Sequence, residues 1–174
     1  MGEIQQYRDY TNNTFEFSEF QTKSFLSIIE DKHVLVTAHT GSGKTLPAEF
    51  SIFYNIKIKQ KKVIYTSPIK ALSNQKYKEF SSKFPDIEVG ILTGDIKHNP
   101  GADLLIMTTE ILRNLLYRSY KEDGTEIANK HLGTDLDIHT EVGVVIYDEV
   151  HYINDRDRGK VWEESLITMP QHIS

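Results

Sequence analysis

The stretch Ala38-His39-Thr40-Gly41-Ser42-Gly43-Lys44-Thr45 determines how the rest of the sequence is interpreted. Residues 33–37 before it form a short apolar run that predicts a buried strand, and residues 46–55 after it predict a helix. The two glycines let the backbone turn its N–H groups inward, and the Lys44 ammonium can reach the outer phosphates of a ligand. The positive N-terminal end of the helix points to the same place. The stretch therefore predicts a loop that wraps the phosphates of a nucleotide, with the Thr45 hydroxyl on a magnesium ion held mainly by those phosphates.

One position of this predicted phosphate loop, residues 38–45, departs from the usual pattern. The pattern opens with glycine where this chain has Ala38. A glycine and serine turn followed by lysine and threonine also occurs in ordinary loops, so the eight residues alone leave that alternative open. The predicted strand and helix on either side favour the phosphate loop, because the motif has meaning only in that context.

Composition places the chain among globular proteins of one domain. It has 174 residues, of which 39% are hydrophobic, and no apolar run approaches the roughly 18 to 20 residues that span a bilayer. No secretory signal is visible, so a soluble, intracellular protein is expected, in the cytoplasm or the nucleus. The absence of cysteine excludes disulfides and thiolate metal sites. A net charge of −5 argues against a simple basic nucleic-acid clamp, although backbone N–H groups and helix ends can also hold phosphates.

The segment before the first predicted strand carries aromatic residues next to a helix. Ser18 is a plausible cap for a helical pattern that begins at about residue 19. Phe15 and Phe17 precede it, and Gln21 lies in its first turn. These aromatic rings can simply pack in the core. A ring beside a glutamine is also what would recognise a stacked adenine by its edge, so both interpretations stay open.

The remaining chain alternates between predicted strands and helices. Helices are expected from Ser67-Pro68 to about Lys83 and again after Thr108-Thr109-Glu110. Such alternation predicts an α/β fold with a mainly parallel sheet and helices on both faces, in which ligands bind at the carboxyl ends of the strands. The further predicted strands are residues 62–66, 88–92, 103–107 and 142–147.

Residues 119–140 interrupt the pattern with charged residues and glycines, and we expect an exposed insertion there. His131 and His139 lie in this segment with Asp135 and Asp137. Their spacing does not favour a metal site, because neither cysteine nor tight helical spacing is present.

Two carboxylates follow directly after the most apolar strand. Asp148 would orient magnesium through its water shell, and Glu149 would polarise an attacking water as general base. The alternative is a solvated acidic turn. Because the phosphate loop and these carboxylates both follow predicted strands, we expect them to meet at one edge of the sheet, where they would bind and hydrolyse a nucleotide.

These motifs resemble a known family. Asp148-Glu149-Val150-His151 resembles the signature of the DExH-box helicases of superfamily two. The segment from Tyr65 to Tyr77 is similar to the first nucleic-acid-contact motif of the superkiller-type RNA helicases that feed the RNA exosome. Arg158-Gly159 and Trp162-Glu163-Glu164 resemble the same group. The similarity covers nearly the whole chain and is that of a first RecA-like domain.

The resemblance implies cofactors, partners and further site residues. ATP with Mg²⁺ is the implied cofactor pair, and Phe15 or Phe17 with Gln21 is the implied adenine site. The implied partners are single-stranded RNA with a 3′ overhang, a second RecA-like motor domain reached through His151, and exosome-type nucleases. The residues implied to line the path of the nucleic acid are Ser67, Pro68, Lys70, Ser73, Asn74, Gln75, Gly94, Asp95, Thr108 and Thr109.

The resemblance also sets the expected domain organisation. Residues 1–32 would be an extension that carries the adenine segment, and residues 33–174 an incomplete first RecA-like domain. The long 119–140 segment resembles versions from large DNA viruses, in which case the protein would belong to the virion or viral factory. The chain stops before the family's Ser-Ala-Thr motif and its second domain with the arginine finger. We therefore expect the chain alone to be marginally stable and nearly inactive.

Two other functions remain open from the sequence. A DNA helicase of the same superfamily would share the phosphate loop and the carboxylates. A non-catalytic module that binds ATP and holds RNA or a partner would also share them, but without turnover.

Overall fold

The structure is a computed structural model that describes residues 2–37, 41–120, 134–156 and 158–173. The chain divides into two compact units, the first running to Gln60 and the second spanning Lys61–Ile173. This division does not coincide with the one expected between residues 32 and 33, which stays a prediction. No helix among the described residues has both the length and the apolar character needed to cross a membrane.

The first unit is helical and is held together by aromatic side chains. It contains α1 (Gly2–Tyr10), α2 (Glu19–Ile29) and α3 (Leu46–Phe53), and α3 continues into the π-helical segment Tyr54–Ile58. Phe25 of α2 stacks on Phe50 of α3 with ring centroids 4.4 Å apart. Tyr7 of α1 is fully buried against both rings. The aromatic core thus joins the three helices.

The prediction of a strand at residues 33–37 is wrong. These residues form no strand, and the Leu35 side chain is 72% exposed. Strand propensity describes how well a side chain fits a pleated surface, and it does not supply a neighbouring strand for the backbone hydrogen bonds. The described sheet contains no strand from this part of the chain. An apolar run without a paired neighbour therefore forms no strand.

The second unit is built on one five-stranded sheet, in the order β3-β2-β4-β1-β5. Its strands β2, β4, β1 and β5 are parallel, and β3 runs antiparallel to β2. The α/β fold class with a mainly parallel sheet is therefore confirmed, and four of the predicted strands are observed within two residues of their expected bounds. The strands are β1 (Lys62–Ser67), β2 (Val89–Leu92), β3 (Lys97–His98), β4 (Leu104–Thr108) and β5 (Val142–Tyr147).

Helices cover both faces of this sheet. Neighbouring residues of a strand point to opposite faces, and Ile64 and Tyr65 of β1 show which helix covers each face. Ile64 belongs to a buried cluster with Leu112 and Leu116 of α5 (Thr109–Tyr120). The ring of Tyr65 packs edge-on against Phe80 of α4 (Lys70–Lys83), 5.1 Å between centroids. Thus α4 and α5 lie on opposite faces.

The end of the predicted insertion folds next to β5. Residues 121–133, which include His131, lie outside the described residues. The short α6 (Ile138–Glu141) leads directly into β5, and Asp137 caps it by accepting the His139 N–H at 2.9 Å. A hydrogen bond from the Thr140 hydroxyl is the main cause of a lowered pKa at Asp137. Asp137 is thus engaged in helix capping.

Beyond β5, the 3₁₀-helix Val150–Asn154 and α7 (Gly159–Ile167) complete the second unit. A Cβ at Gly159 would lie 2.2 Å from the carbonyl oxygen of Ile153, so glycine is required for this close approach. Trp162 of α7 packs on Tyr147 at 4.9 Å between ring centroids, and the Tyr147 hydroxyl hydrogen-bonds Ser165 at 3.0 Å. Burial raises the pKa of Tyr147 to about 12. Trp162 and Ser165 therefore anchor α7 to β5, and Gly159 allows the close approach of α7 to the 3₁₀-helix.

Candidate functional site

The described part of the phosphate loop has the backbone conformation that its glycines predicted. Ala38, His39 and Thr40 lie outside the described residues. Gly41 and Gly43 adopt positive φ angles of 85° and 77°, which glycine reaches without steric cost. Lys44 is exposed, and Thr45 stands immediately before α3. Loop and helix N-terminus thus offer N–H groups and one ammonium to an anion.

Gln21 is the side chain that fixes this loop to the rest of the first unit. Its Nε2 donates to the carbonyl oxygen of Gly43 at 3.2 Å, and its Oε1 accepts the N–H of Ser18 at 2.9 Å. A Cβ at Gly43 would come within 2.5 Å of the Gln21 Nε2. The residue is 5% exposed. Gln21 therefore caps α2 and braces the loop at the same time.

The two aromatic candidates for the adenine site have different surroundings. Phe17 is enclosed by other rings, 5.0 Å from Phe25 and 6.2 Å from Tyr7, and the Arg8 guanidinium lies 5.0 Å above its ring. Phe15 touches Phe17 edge-on at 5.8 Å and is 50% exposed. Phe15 is therefore the candidate with ring surface open to a ligand.

Asp148 and Glu149, which we call the acidic turn, follow directly after β5 in the second unit. The backbone N–H of Asp148 donates to the carbonyl oxygen of Thr66 at 2.9 Å, which continues the pairing of β5 with β1. The Asp148 Oδ1 accepts the N–H of Glu149 at 2.9 Å, and its Oδ2 accepts the hydroxyl of Tyr65 at 2.7 Å. Backbone and side chain of Asp148 are thus held by β1.

Tyr65 is a site residue that the sequence did not single out for this role. Burial raises the pKa of its phenol, and the charges of Asp148 and Glu149 act in the same direction. The phenol therefore keeps its proton and acts as the donor to the carboxylate. The contact joins residues 83 positions apart, so no local pattern announces it.

Glu149 combines an unusual backbone conformation with a partly exposed side chain. Its φ of 56° places it in the left-handed region, which a residue other than glycine seldom adopts. Its carbonyl oxygen accepts the N–H of Tyr152 at 3.0 Å and starts the 3₁₀-helix. The Nδ1 of His151 lies 3.2 Å from Glu149 Oε2, and the His151 side chain is 68% exposed. The two predicted residues Glu149 and His151 are therefore in contact.

The phosphate loop and the acidic turn belong to different compact units. Their meeting at one site stays a prediction.

Three of the ten predicted nucleic-acid residues take part in an internal hydroxyl network with Thr66. The Thr66 hydroxyl donates to Thr109 Oγ1 at 3.2 Å, and Thr109 Oγ1 donates to the carbonyl oxygen of Ser67 at 3.3 Å. The Ser67 and Ser73 hydroxyls lie 2.7 Å apart. These side chains tie the end of β1 to α4 and to the start of α5. The predicted residues that are buried are Ser67, Pro68, Ser73, Thr108 and Thr109.

The other predicted nucleic-acid residues are accessible, and two of them pair with each other. Asn74 is half-buried, while Lys70, Gln75, Gly94 and Asp95 are exposed. The Lys70 ammonium forms an ion pair with the Asp95 carboxylate. A phosphate at Lys70 would compete with this pair, which is exposed and so weak.

The oxygen-bearing side chains of the described residues are suited to a magnesium ion that is bound together with a nucleotide. The described residues include no group of three or more histidine, aspartate or glutamate side chains that could hold a metal ion alone. Magnesium bound with a nucleotide needs only one or two protein oxygens, because phosphates and waters supply the rest. Thr45 and Asp148 are of the required chemical type.

Comparison with known proteins gives a consistent result. The family model described as DEAD/DEAH box helicase matches residues 18–174. The antiviral helicase SKI2 of Saccharomyces cerevisiae is 46% identical over 159 residues, which cover 91% of this chain and 11% of that protein. The ATP-dependent RNA helicase mtr4 of Schizosaccharomyces pombe is 47% identical, covering 90% and 12%. The human exosome RNA helicase MTR4 is 45% identical, covering 91% and 13%. The chain therefore spans a small part of each relative.

Solved structures show the same fold. A hypothetical ATP-dependent RNA helicase from Sulfolobus tokodaii matches with a TM-score of 0.67 and 21% identity, over 99% of this chain and 48% of that one. The DUF1998 helicase MrfA, bound to DNA and AMPPNP, matches with a TM-score of 0.66 and 16% identity, over 92% and 23%. The fold is thus that of a RecA-like helicase domain, and the similarity to the superkiller-type helicases SKI2 and MTR4 is confirmed. This chain belongs to the DEAD/DEAH box helicase family.

Proposed function

We propose that this chain is the ATP-binding domain of an ATP-dependent RNA helicase that couples ATP hydrolysis to 3′ to 5′ unwinding. The observation that carries the proposal is the loop Gly41 to Thr45. Two glycines with left-handed φ angles precede an exposed lysine and the first turn of α3. This arrangement of backbone N–H groups and one mobile cation is suited to the phosphates of a nucleotide.

The residues of the phosphate loop and of the acidic turn have distinct proposed roles. Lys44 would neutralise the outer phosphates, and Thr45 and Asp148 would hold Mg²⁺, the latter through water. The ion, when bound, would stabilise charge on the phosphates. Glu149 would accept the proton of the attacking water, because its side chain is partly exposed and stands two residues after the end of β5. His151, which contacts Glu149, would link this site to a second RecA-like domain.

The base of ATP would be recognised at the edge of the first unit. Phe15 presents an exposed ring on which a purine can stack, and Gln21 already contacts the phosphate loop. Phe17 would then support Phe15 from behind. Phe15, Phe17 and Gln21 would thus all contribute to the adenine site.

The RNA would follow the ends of β1 and β4 and the turn after β2. Lys70, Asn74, Gln75 and Gly94 are accessible there, while the buried hydroxyl network would fix the backbone groups that face the strand. Relatives named as exosome RNA helicases support RNA as substrate and exosome-type nucleases as partners. An intracellular location belongs to the same proposal.

The test is ATP hydrolysis by the full-length protein with single-stranded RNA, with single-stranded DNA of the same sequence, and without nucleic acid. Stimulation by RNA above that by DNA is expected. Stimulation by DNA alone would identify a DNA helicase of the same superfamily. Tight ATP binding without turnover in any condition would identify a non-catalytic module.

A further inference from the structure

The carboxylate of Asp148 is held by Tyr65, which belongs to neither the phosphate loop nor the acidic turn. The Tyr65 hydroxyl donates to Oδ2 at 2.7 Å, a distance near the centre of the range for O–H···O hydrogen bonds. Because the acceptor is a carboxylate, the bond is charge-assisted and stronger than one between neutral groups. The other oxygen, Oδ1, accepts the Glu149 N–H. Both oxygens therefore have fixed donors.

The donor is itself rigid. Tyr65 is 2% exposed, and its ring is packed edge-on against Phe80. Its backbone is paired on both sides, with Ile106 of β4 and Ile146 of β5. A tyrosine side chain that is held in this way can place its hydroxyl in one position only. The direction in which Asp148 points is therefore set by β1.

The held carboxylate still has capacity to accept further bonds. Each carboxylate oxygen has two lone pairs, and the described residues donate one hydrogen bond to each oxygen. The remaining lone pairs point in defined directions, since the two donors fix the carboxylate plane. They are suited to the waters around a hydrated divalent cation, which needs acceptors in set positions.

We propose that Tyr65 is a positioning residue of the nucleotide site, which orients Asp148 toward the water shell of the magnesium ion. This inference rests on the proposed function, because it requires Asp148 to face a magnesium nucleotide. Tyr65 touches neither nucleotide nor metal. It acts through Asp148, as partners outside the ligand shell do in other metal sites.

The experiment measures how strongly magnesium enhances nucleotide binding by the full-length protein. A fluorescent, non-hydrolysable ATP analogue is titrated once in EDTA and once in saturating magnesium chloride, and the ratio of the two affinities is the readout. Tyr65→Phe keeps the packed ring and removes the hydroxyl. We expect the ratio to fall about tenfold, the lower end of the effect of such partners on metal affinity, with unchanged affinity in EDTA.

Tyr147→Phe is the matched control. It also removes the hydroxyl of a half-buried tyrosine in the adjacent strand, but that hydroxyl bonds Ser165 and not Asp148. Its magnesium ratio should equal that of the parent, even if both variants lose similar thermal stability. In an Asp148→Asn background, Tyr65→Phe should have no further effect on the ratio, because the two residues act in series.

The outcomes separate the inference from the proposed function. If Asp148→Asn lowers the ratio and Tyr65→Phe leaves it at the parent value, Tyr65 is an ordinary core residue and the inference fails alone. If the parent shows no magnesium enhancement and Asp148→Asn changes nothing, the proposed function fails, and the inference with it. An equal loss in Tyr65→Phe and Tyr147→Phe would also overturn the inference.

Discussion

The phosphate loop and the acidic turn are both short segments at the start or end of an element, but they are shaped in different ways. The loop takes its form from its own residues, two glycines with positive φ, and from one hydrogen bond to Gln21. The acidic turn takes its form from β1, through Tyr65 and the carbonyl of Thr66. The backbone conformation of the phosphate loop therefore follows mainly from its own residues. The orientation of the Asp148 carboxylate in the acidic turn is set by residues of the neighbouring strand β1.

The largest effect is expected at the acidic turn. Glu149→Gln should lower ATP hydrolysis by the full-length protein by about 10² to 10⁴-fold, because an amide does not accept the proton of water. ATP affinity should stay the same, because the side chain keeps its size. Single-turnover hydrolysis and nucleotide titration measure the two properties. The control is Glu163→Gln, an exposed residue of α7. Equal rates for Glu149→Gln and the parent would remove Glu149 from the mechanism.

The next effect is expected at the loop and should have the opposite character. Lys44→Ala should weaken ATP binding about 10- to 100-fold, since a hydrogen bond to a charged group contributes about 1.5 to 3 kcal/mol. The thermal midpoint should not change, because Lys44 is exposed and makes no ion pair with the other described residues. Lys23→Ala, an exposed lysine of α2, is the control. Loss of the fold in Lys44→Ala would show that the loop is structural.

The local origin of the loop shape is tested by a pair of glycine substitutions. Gly43→Ala should destabilise the chain by about 2 kcal/mol, because alanine is strained at positive φ and its Cβ would meet the Gln21 amide at 2.5 Å. Gly41→Ala has similar φ strain, but no described residue lies within 4 Å of the added Cβ, so it should cost less. Urea unfolding compares them. Equal losses would mean that the Gln21 contact is unimportant.

The smallest effect is expected at Gln21. This residue has two proposed roles, bracing the phosphate loop and recognising adenine, and the substitution tests them separately. Gln21→Ala removes hydrogen bonds to Gly43 and Ser18 and should cost about 1 to 2 kcal/mol of stability. If Gln21 also reads adenine, the preference for ATP over CTP should erode in a competition assay. Gln5→Ala, an exposed residue of α1, is the control. CTP that displaces labelled ATP from the parent as well as ATP does would refute the adenine assignment.

The difference between local causes and contacts with distant residues also explains which features could be predicted from the sequence. The period of apolar residues and the capping and turn residues predicted α2, α4, α5 and four strands, because these signals are local. Residues 33–37 carried the same strand signal as β5 and yet form no strand, since a strand also requires a neighbour that the pattern does not specify. The burial of Ser67, Ser73 and Thr109 was not predictable either. Serine and threonine are usually expected at the surface, and the sequence does not show that these hydroxyls have hydrogen-bond partners inside the protein.

The candidate site was predictable to a similar degree. Glycine, lysine and threonine of the loop and the paired carboxylates are recognised by residue type and order. The Tyr65 contact with Asp148 depends on two strands lying side by side in register, which sequence spacing does not reveal. The brace from Gln21 to Gly43 likewise crosses between helix and loop.

The two edges of the sheet differ in a way that bears on self-association. One edge is β3, two residues long, exposed and carrying Lys97 and His98, which is how proteins commonly discourage strand addition. The other is β5, six residues long and almost wholly apolar, which pairs with β1 and with no second strand among the described residues. A strand edge without a partner is a template for a strand from another molecule. Concentrated solutions of the chain should therefore form aggregates that grow from β5, and charge added to that strand edge should suppress them.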